Sequence, residues 1–86
     1  SRHVSSGEIN SEVADPAEVL RRVEQEWSAE EGVEVDHLDG LSVTHPEWWF
    51  NVRASNTEPL LRLNVEGKDE ATMTEVRDRV LAQIRR

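Results

Sequence analysis

Residues 48–66 read WWFNVRASNTEPLLRLNVE, and this stretch decides the fold. Trp48–Val52 and Leu60–Glu66 alternate apolar and polar side chains, a pattern typical of β-strands with one buried face. The short polar loop Arg53–Pro59 joins them, so the stretch predicts an antiparallel hairpin. Because Arg53 ends the first strand, we expect its side chain to be accessible at the tip of that hairpin.

The two faces of the predicted hairpin differ in chemistry. The face expected to form the core carries Trp48, Phe50, Val52, Leu61, Leu63 and Val65. The opposite face carries Trp49, Asn51, Arg53, Arg62, Asn64 and Glu66. An antiparallel sheet covered on one side shows this division. Trp49 does not fit the polar face, and it indicates either a domain contact or a ring half-covered by long neighbours.

The loop itself predicts an anion-binding site. Arg53 supplies a planar, permanently charged group that matches phosphate oxygens. Ser55, Asn56 and Thr57 can donate hydrogen bonds from their side chains, and a tight loop can turn its backbone N–H groups toward the same anion. The bland alternative is an exposed ion pair between Arg53 and Glu58 in an ordinary polar loop.

Composition limits the possible functions. The chain has 86 residues, enough for one small domain, and it lacks cysteine, which excludes disulfides and thiolate metal sites. Eighteen acidic residues against ten basic ones give a net charge of −8, which argues against nucleic acid as a partner. No apolar run is long enough for a membrane span. We expect a cytoplasmic protein without membrane contact. His37 and His45 lack a recognisable metal-ligand spacing, and we predict no metal site.

The remaining segments predict a two-layer α+β sandwich. Residues 1–7 are small and polar, as in a linker, and the start without Met suggests an excised domain. The predicted elements are a strand in Glu8–Val13, a helix begun by Asp15-Pro16 and ended by Gly32, strands Val33–Leu38 and Leu41–Thr44 around the turn Asp39-Gly40, and a helix capped by Asp69. The order β-α-β-β-β-β-α gives an antiparallel sheet with two helices on one face.

The loop resembles a known signature. Arg53-Ala54-Ser55-Asn56-Thr57-Glu58-Pro59 is similar to the phosphate-binding loop of the α-D-phosphohexomutases, the phosphomannomutase/phosphoglucomutase family. An aromatic-rich strand precedes it and an apolar strand follows, and Ser6-Gly7-Glu8-Ile9-Asn10 also looks like the start of that family's fourth, C-terminal domain. The resemblance implies a TATA-binding-protein-like fold for residues 8–86, with residues 1–7 as the linker from a preceding domain.

The resemblance also implies a role. Such an enzyme is an intramolecular phosphotransferase that interconverts hexose 1-phosphate and 6-phosphate through a bisphosphorylated intermediate. Its C-terminal domain holds the phosphate that is not transferred, which assigns substrate binding to Arg53, Ser55, Asn56 and Thr57. The nucleophilic serine and the magnesium loop belong to the preceding domains, so no catalytic residue and no cofactor are expected in this chain, and the fragment alone should be inactive. The expected partners are a hexose phosphate and those preceding domains.

Two other functions remain open at this point. A free-standing module could recognise a phosphorylated ligand through the same loop without catalysis. An interaction domain could instead bind a protein through Trp49 and the polar sheet face. The sequence does not choose the sugar, the oligomeric state or the movement of the domain in its parent.

Overall fold

The structure, a computed structural model, describes residues 3–86. Within them lie two helices and six strands. They are β1 Val4–Ser5, β2 Ile9–Glu12, α1 Pro16–Ser28, β3 Glu34–Asp36, β4 Leu41–His45, β5 Trp48–Ala54, β6 Leu60–Gly67 and α2 Glu70–Ile84. The strands form one antiparallel sheet in the order β1-β6-β5-β4-β3, and β2 also pairs with β6. The predicted α+β fold with an antiparallel sheet and two helices is confirmed.

The sheet contains one strand that the sequence did not predict. Val4 and Ser5, assigned to the linker, pair with Gly67 and Glu66 at the edge of the sheet. A two-residue strand is too short to show alternation, so only its partner reveals it. The order is therefore β-β-α-β-β-β-β-α. The first two residues of the predicted linker lie outside the described residues.

The predicted alternation determines the core. The helices pack on one face of the sheet, and the core consists of fourteen buried apolar residues: Val19, Val23, Trp27, Leu41, Val43, Phe50, Val52, Leu61, Leu63, Val65, Met73, Val76, Val80 and Ile84. Five of the six side chains predicted for the core face of the hairpin are fully buried. Trp48, the sixth, is half-buried at the margin and stacks on His45.

Local signals position the helices. Asp15 Oδ1 accepts the N–H of Glu18 at 3.2 Å, and Asp69 Oδ1 accepts the N–H of Thr72 at 2.8 Å. Both aspartates are the predicted N-caps, which satisfy backbone donors that the first turn leaves free. The predicted end of α1 at Gly32 is wrong, because the helix ends at Ser28 and a short turn follows before Gly32.

The hairpin between β3 and β4 is shorter than predicted. Val33–Leu38 was expected as a strand, but β3 covers only Glu34–Asp36. Leu38 belongs to the turn and is 95% exposed. Asp36 Oδ1 accepts the N–H of Leu38 at 3.2 Å, and this side-chain contact ends the strand early. The turn at Asp39-Gly40 itself is present, with Gly40 at φ +69°.

Candidate functional site

The loop Arg53–Pro59 is closed by backbone hydrogen bonds at the end of the β5–β6 hairpin. The N–H of Ser55 donates to the carbonyl of Leu60 at 3.0 Å, and the N–H of Leu60 donates to the carbonyl of Glu58 at 2.8 Å. Pro59 fixes its own φ and has no N–H to satisfy. The loop is therefore held from both strands, and its side chains start from a defined backbone.

The Ser55 hydroxyl organises the inside of the loop. Its Oγ accepts the N–H of Thr57 and the N–H of Glu58, each at 3.2 Å. A serine hydroxyl has two acceptor lone pairs and one proton to donate. Since both lone pairs of the Ser55 Oγ already accept hydrogen bonds, the hydroxyl can make a further hydrogen bond only by donating its proton. The Thr57 Oγ1, at 3.5 Å, is a distant acceptor for that proton.

A polar pocket of about 450 Å³ lies against this loop. It brings together three of the four predicted binding residues with residues from two other places in the chain. The pocket is lined by Asp39, Gly40, Arg53, Ala54, Ser55, Asn56 and Arg62. Thr57 is exposed and outside this lining, and it adjoins the pocket only through Ser55.

Arg53 has a different counterion from the one that the sequence suggested. Its side chain is 44% exposed, and Nη1 lies 3.5 Å from Oδ2 of Asp39 in the β3–β4 turn. The pairing with Glu58 is thus not the one observed. On the neighbouring strand, Arg62 Nη1 lies 3.2 Å from Oε2 of Glu8.

Gly40 lies directly beneath Arg53. A Cβ at this position would lie 2.5 Å from the carbonyl oxygen of Val52 and 2.7 Å from Cγ of Arg53. Only glycine allows so close an approach together with a positive φ. The turn and the arginine therefore pack as one unit, and the turn determines where the aliphatic part of Arg53 lies.

Sequence reasoning missed three residues of the pocket. Asp39 and Gly40 were recognised as a turn, but their distance from Arg53 in the chain hid their contact with it. Arg62 was placed on the polar face without a binding role. The strand pairing of the predicted hairpin could have revealed Arg62 as a pocket residue, because Arg62 lies directly opposite Arg53.

Trp49 lies on the solvated face of the sheet, next to the pocket. It is 38% exposed and has Thr44 and Glu66 as cross-strand neighbours. It also lines a second polar depression of about 330 Å³ that includes Arg53. The indole is therefore partly covered by its neighbours, and a contact with another domain stays a prediction.

The two histidines considered for metal binding have other neighbours. His37 Nε2 lies 2.8 Å from Oε1 of Glu24, and the His45 ring stacks on Trp48 with centroids 4.9 Å apart. Across residues 3–86, no three His, Asp or Glu side chains come close enough together to hold a metal ion. In the same residues, neither helix has the length and apolar character needed to cross a membrane.

The fold and this site define a class of protein: a two-layer α+β domain with a polar, arginine-containing loop at the tip of a sheet hairpin. A sequence model described as "Phosphoglucomutase/phosphomannomutase, C-terminal domain" matches residues 8–83. The chain therefore belongs to the phosphoglucomutase/phosphomannomutase family.

Individual relatives agree with this placement. The phosphomannomutase of Escherichia coli (strain K12) is 51% identical over 77 residues, which cover 90% of this chain and 17% of the relative. The phosphomannomutase of Methanocaldococcus jannaschii is 43% identical over 75 residues, with 87% and 16% covered. A crystal structure of a phosphoglucomutase/phosphomannomutase family protein from Burkholderia thailandensis has the same fold, with TM-score 0.73 and 24% identity over 99% of this chain and 18% of that one. The chain spans less than a fifth of the length of these proteins.

Proposed function

We propose that this chain is the substrate-phosphate-binding domain of a phosphohexomutase, and that it anchors the phosphate that is not being transferred. One observation carries the proposal: Arg53, Ser55 and Asn56 line a single open, polar pocket. The names of the relatives support a phosphosugar mutase as the parent. The interconversion of hexose 1-phosphate and 6-phosphate, and its place in the cytoplasm, are part of this proposal. The ligand is a hexose phosphate, and the other partners are the preceding domains of the same protein.

Each of the four predicted binding residues has a role in this proposal. Arg53 supplies a permanent charge that is accessible enough to exchange Asp39 for a phosphate oxygen. Ser55 donates its hydroxyl proton, since its acceptor positions are occupied by the loop backbone. Asn56 adds an amide donor, and Thr57 supports Ser55 from outside the pocket. Such contacts bind a phosphate far from the reacting end and so orient the sugar.

The chemistry of phosphoryl transfer is assigned to other parts of the parent. Transfer needs a nucleophile and a metal ion that stabilises the developing charge. No cluster of carboxylates within residues 3–86 would hold magnesium. In this proposal the magnesium site and the nucleophile belong to the preceding domains, and the 86-residue chain binds ligand without catalysing the reaction.

The test is a titration of the isotope-labelled chain with glucose 1-phosphate, mannose 6-phosphate and inorganic phosphate, followed through backbone amides. We expect saturable shifts confined to residues 53–57 and adjacent strand ends, with a Kd of roughly 1 mM, or about −4 kcal/mol. Arg53→Ala should abolish the response, whereas Arg21→Ala, which removes an exposed arginine from α1, should leave it intact. Unmoved amides at about 50 mM ligand, well above that Kd, would contradict the proposal. A protein partner that shifts Trp49 would then favour the interaction-domain alternative.

A further inference from the structure

The second polar depression continues from the phosphate pocket along the solvated face of the sheet. Its volume is about 330 Å³, and it shares Asp39 and Arg53 with the pocket at the loop. Trp49, Asn51 and Asn64 are among the other side chains that line it. A phosphate ester held at Arg53 therefore has its organic part next to this depression.

The strand register arranges these side chains in rows that lead away from the loop. Arg53, Asn51 and Trp49 alternate along β5, so all three project from the same face of the sheet. Asn51 lies opposite Ser42 on β4 and opposite Asn64 on β6, and the three polar side chains form one row. At about 3.3 Å per residue, this row lies about 7 Å along the strand from Arg53, and Trp49 lies about 13 Å from it. A hexose bound through its phosphate at Arg53 would lie over the polar row, with Trp49 at its far side.

The polar row has hydrogen-bonding capacity that the fold does not use. Nδ2 of Asn51 donates to the carbonyl of Asp39 at 2.6 Å and to Oγ of Ser42 at 3.1 Å, which leaves Oδ1 of Asn51 as an acceptor. Asn64 is half-buried, yet its side-chain amide has no hydrogen-bond partner within residues 3–86. An amide both donates and accepts hydrogen bonds, so the row matches the hydroxyl groups of a sugar.

Trp49 supplies the apolar part of the depression. Its side chain is partly exposed on a face that is otherwise polar. A pyranose ring carries C–H groups on its faces and hydroxyl groups around its rim, so it needs an apolar surface on one side and polar groups at its edge. Small-molecule sites combine aromatic side chains with a few polar groups in this way, at volumes of roughly 300–1,000 Å³. The indole and the two amides together have the composition of such a site.

We propose that Trp49, Asn51 and Asn64 form a subsite for the sugar ring of the hexose phosphate. Trp49 packs against a face of the ring, and the two amides bind its hydroxyl groups. The subsite rests on the proposed function, because the phosphate at Arg53 places the sugar beside it. Apolar contact with a ring face does not depend on which hydroxyl carries the phosphate, so the subsite accepts a 1-phosphate and a 6-phosphate.

The first test compares sugar phosphates with inorganic phosphate, which occupies the phosphate pocket alone. The isotope-labelled chain is titrated with glucose 1-phosphate, mannose 6-phosphate and inorganic phosphate, and the side-chain N–H signals of Trp49 and Asn64 are followed. Trp49→Phe identifies the Trp49 indole signal among the three tryptophans of the chain. Both sugar phosphates should shift the Trp49 and Asn64 signals, whereas inorganic phosphate should shift only the loop.

The second test measures affinities in variants. Trp49→Ala should raise the Kd of glucose 1-phosphate by about threefold to tenfold through the loss of apolar contact, and should leave the Kd of inorganic phosphate within about twofold. Trp49→Phe should retain part of the affinity, since it keeps an aromatic face. Asn64→Ala should show the same selectivity as Trp49→Ala, through the loss of a hydrogen bond. Leu38→Ala is the control, because it removes another exposed apolar side chain that lines neither depression, and it should leave both Kd values unchanged.

The outcomes separate the two proposals. An unchanged Kd of glucose 1-phosphate in Trp49→Ala and in Asn64→Ala, together with loss of binding in Arg53→Ala, would overturn the sugar subsite and leave the proposed function standing. An equal rise in the Kd of glucose 1-phosphate and of inorganic phosphate, with a lower denaturation midpoint, would also overturn the subsite and assign Trp49 to the stability of the sheet. Absence of any phosphate response in the unchanged chain would overturn both proposals.

Discussion

The guanidinium of Arg53 is held by the carboxylate of Asp39, with Nη1 of Arg53 3.5 Å from Oδ2 of Asp39. The two residues are 14 positions apart and come from different hairpins. A bound phosphate must therefore displace this carboxylate or share the arginine with it. The contact gives the proposed site a resting state in which the arginine is oriented before ligand arrives.

Asp39→Asn should strengthen phosphate binding. The amide keeps the size of the side chain but removes the charge that competes for Arg53, and the expected gain in affinity is up to about fivefold, the range of an exposed ion pair. Titration with glucose 1-phosphate measures it, with Asp78→Asn on α2 as the control for net charge. Weaker binding in Asp39→Asn alone would mean that Asp39 acts mainly by orienting Arg53.

Gly40→Ala should destabilise the chain and weaken phosphate binding. The added Cβ meets the Val52 carbonyl at 2.5 Å and the side chain of Arg53 at 2.7 Å, so the arginine must move. Gly7 is a matched control, since its φ of +70° is similar but nothing lies within 4 Å of a Cβ there. We expect Gly7→Ala to cost about 1–2 kcal/mol for conformation alone and Gly40→Ala about 1–3 kcal/mol more. Equal denaturation midpoints for the two variants would contradict the close packing at Gly40.

Gln83→Leu should destabilise the core through Trp27. The indole N–H of Trp27 donates to Oε1 of Gln83 at 2.5 Å, and both residues are buried. Leucine leaves that N–H without an acceptor, at a cost of about 1–3 kcal/mol in the free energy of unfolding. In a Trp27→Phe background, where no N–H exists, the same change should cost less. Additive effects in this double-mutant cycle, measured by urea denaturation, would argue against the hydrogen bond.

Acidification should lower the stability of the fold through two surface carboxylates, Asp69 and Glu26. Hydrogen bonds from the Thr72 hydroxyl and backbone N–H lower the pKa of Asp69, and a hydrogen bond from Arg86 lowers the pKa of Glu26. A group whose pKa is lower in the folded state stabilises the fold above its unfolded pKa, and this stabilisation is lost as pH falls through the folded value. Unfolding free energy should therefore fall below about pH 4. Asp69→Asn, which retains a good N-cap, and Glu26→Gln should each flatten this decline. If the unfolding free energy of the variant with both substitutions falls with pH as steeply as that of the unchanged chain, Asp69 and Glu26 are not the groups responsible.

Local patterns predicted the framework well. Alternation in residues 48–66 identified the strands and their buried face, and Asp15 and Asp69 identified both helix starts. These signals act within a few residues of the chain, where side-chain direction and backbone hydrogen bonds follow directly from residue type. The predicted end of α1 and the predicted length of β3 were wrong, because α1 stops at Ser28, before Gly32, and the Asp36 side chain accepts the N–H of Leu38 and ends β3 early.

The sequence by itself determined the α+β fold, the core face of the sheet and the position of the Arg53–Thr57 loop at a hairpin tip. Only the tertiary structure decided that Asp39 and Glu8 are the counterions, that Gly40 lies under Arg53 and that Arg62 faces the same pocket. The reason is separation along the chain: Glu8 and Arg62, for example, are 54 residues apart. Long charged side chains can choose among many acids, and only the packed arrangement of the turns and strands selects one.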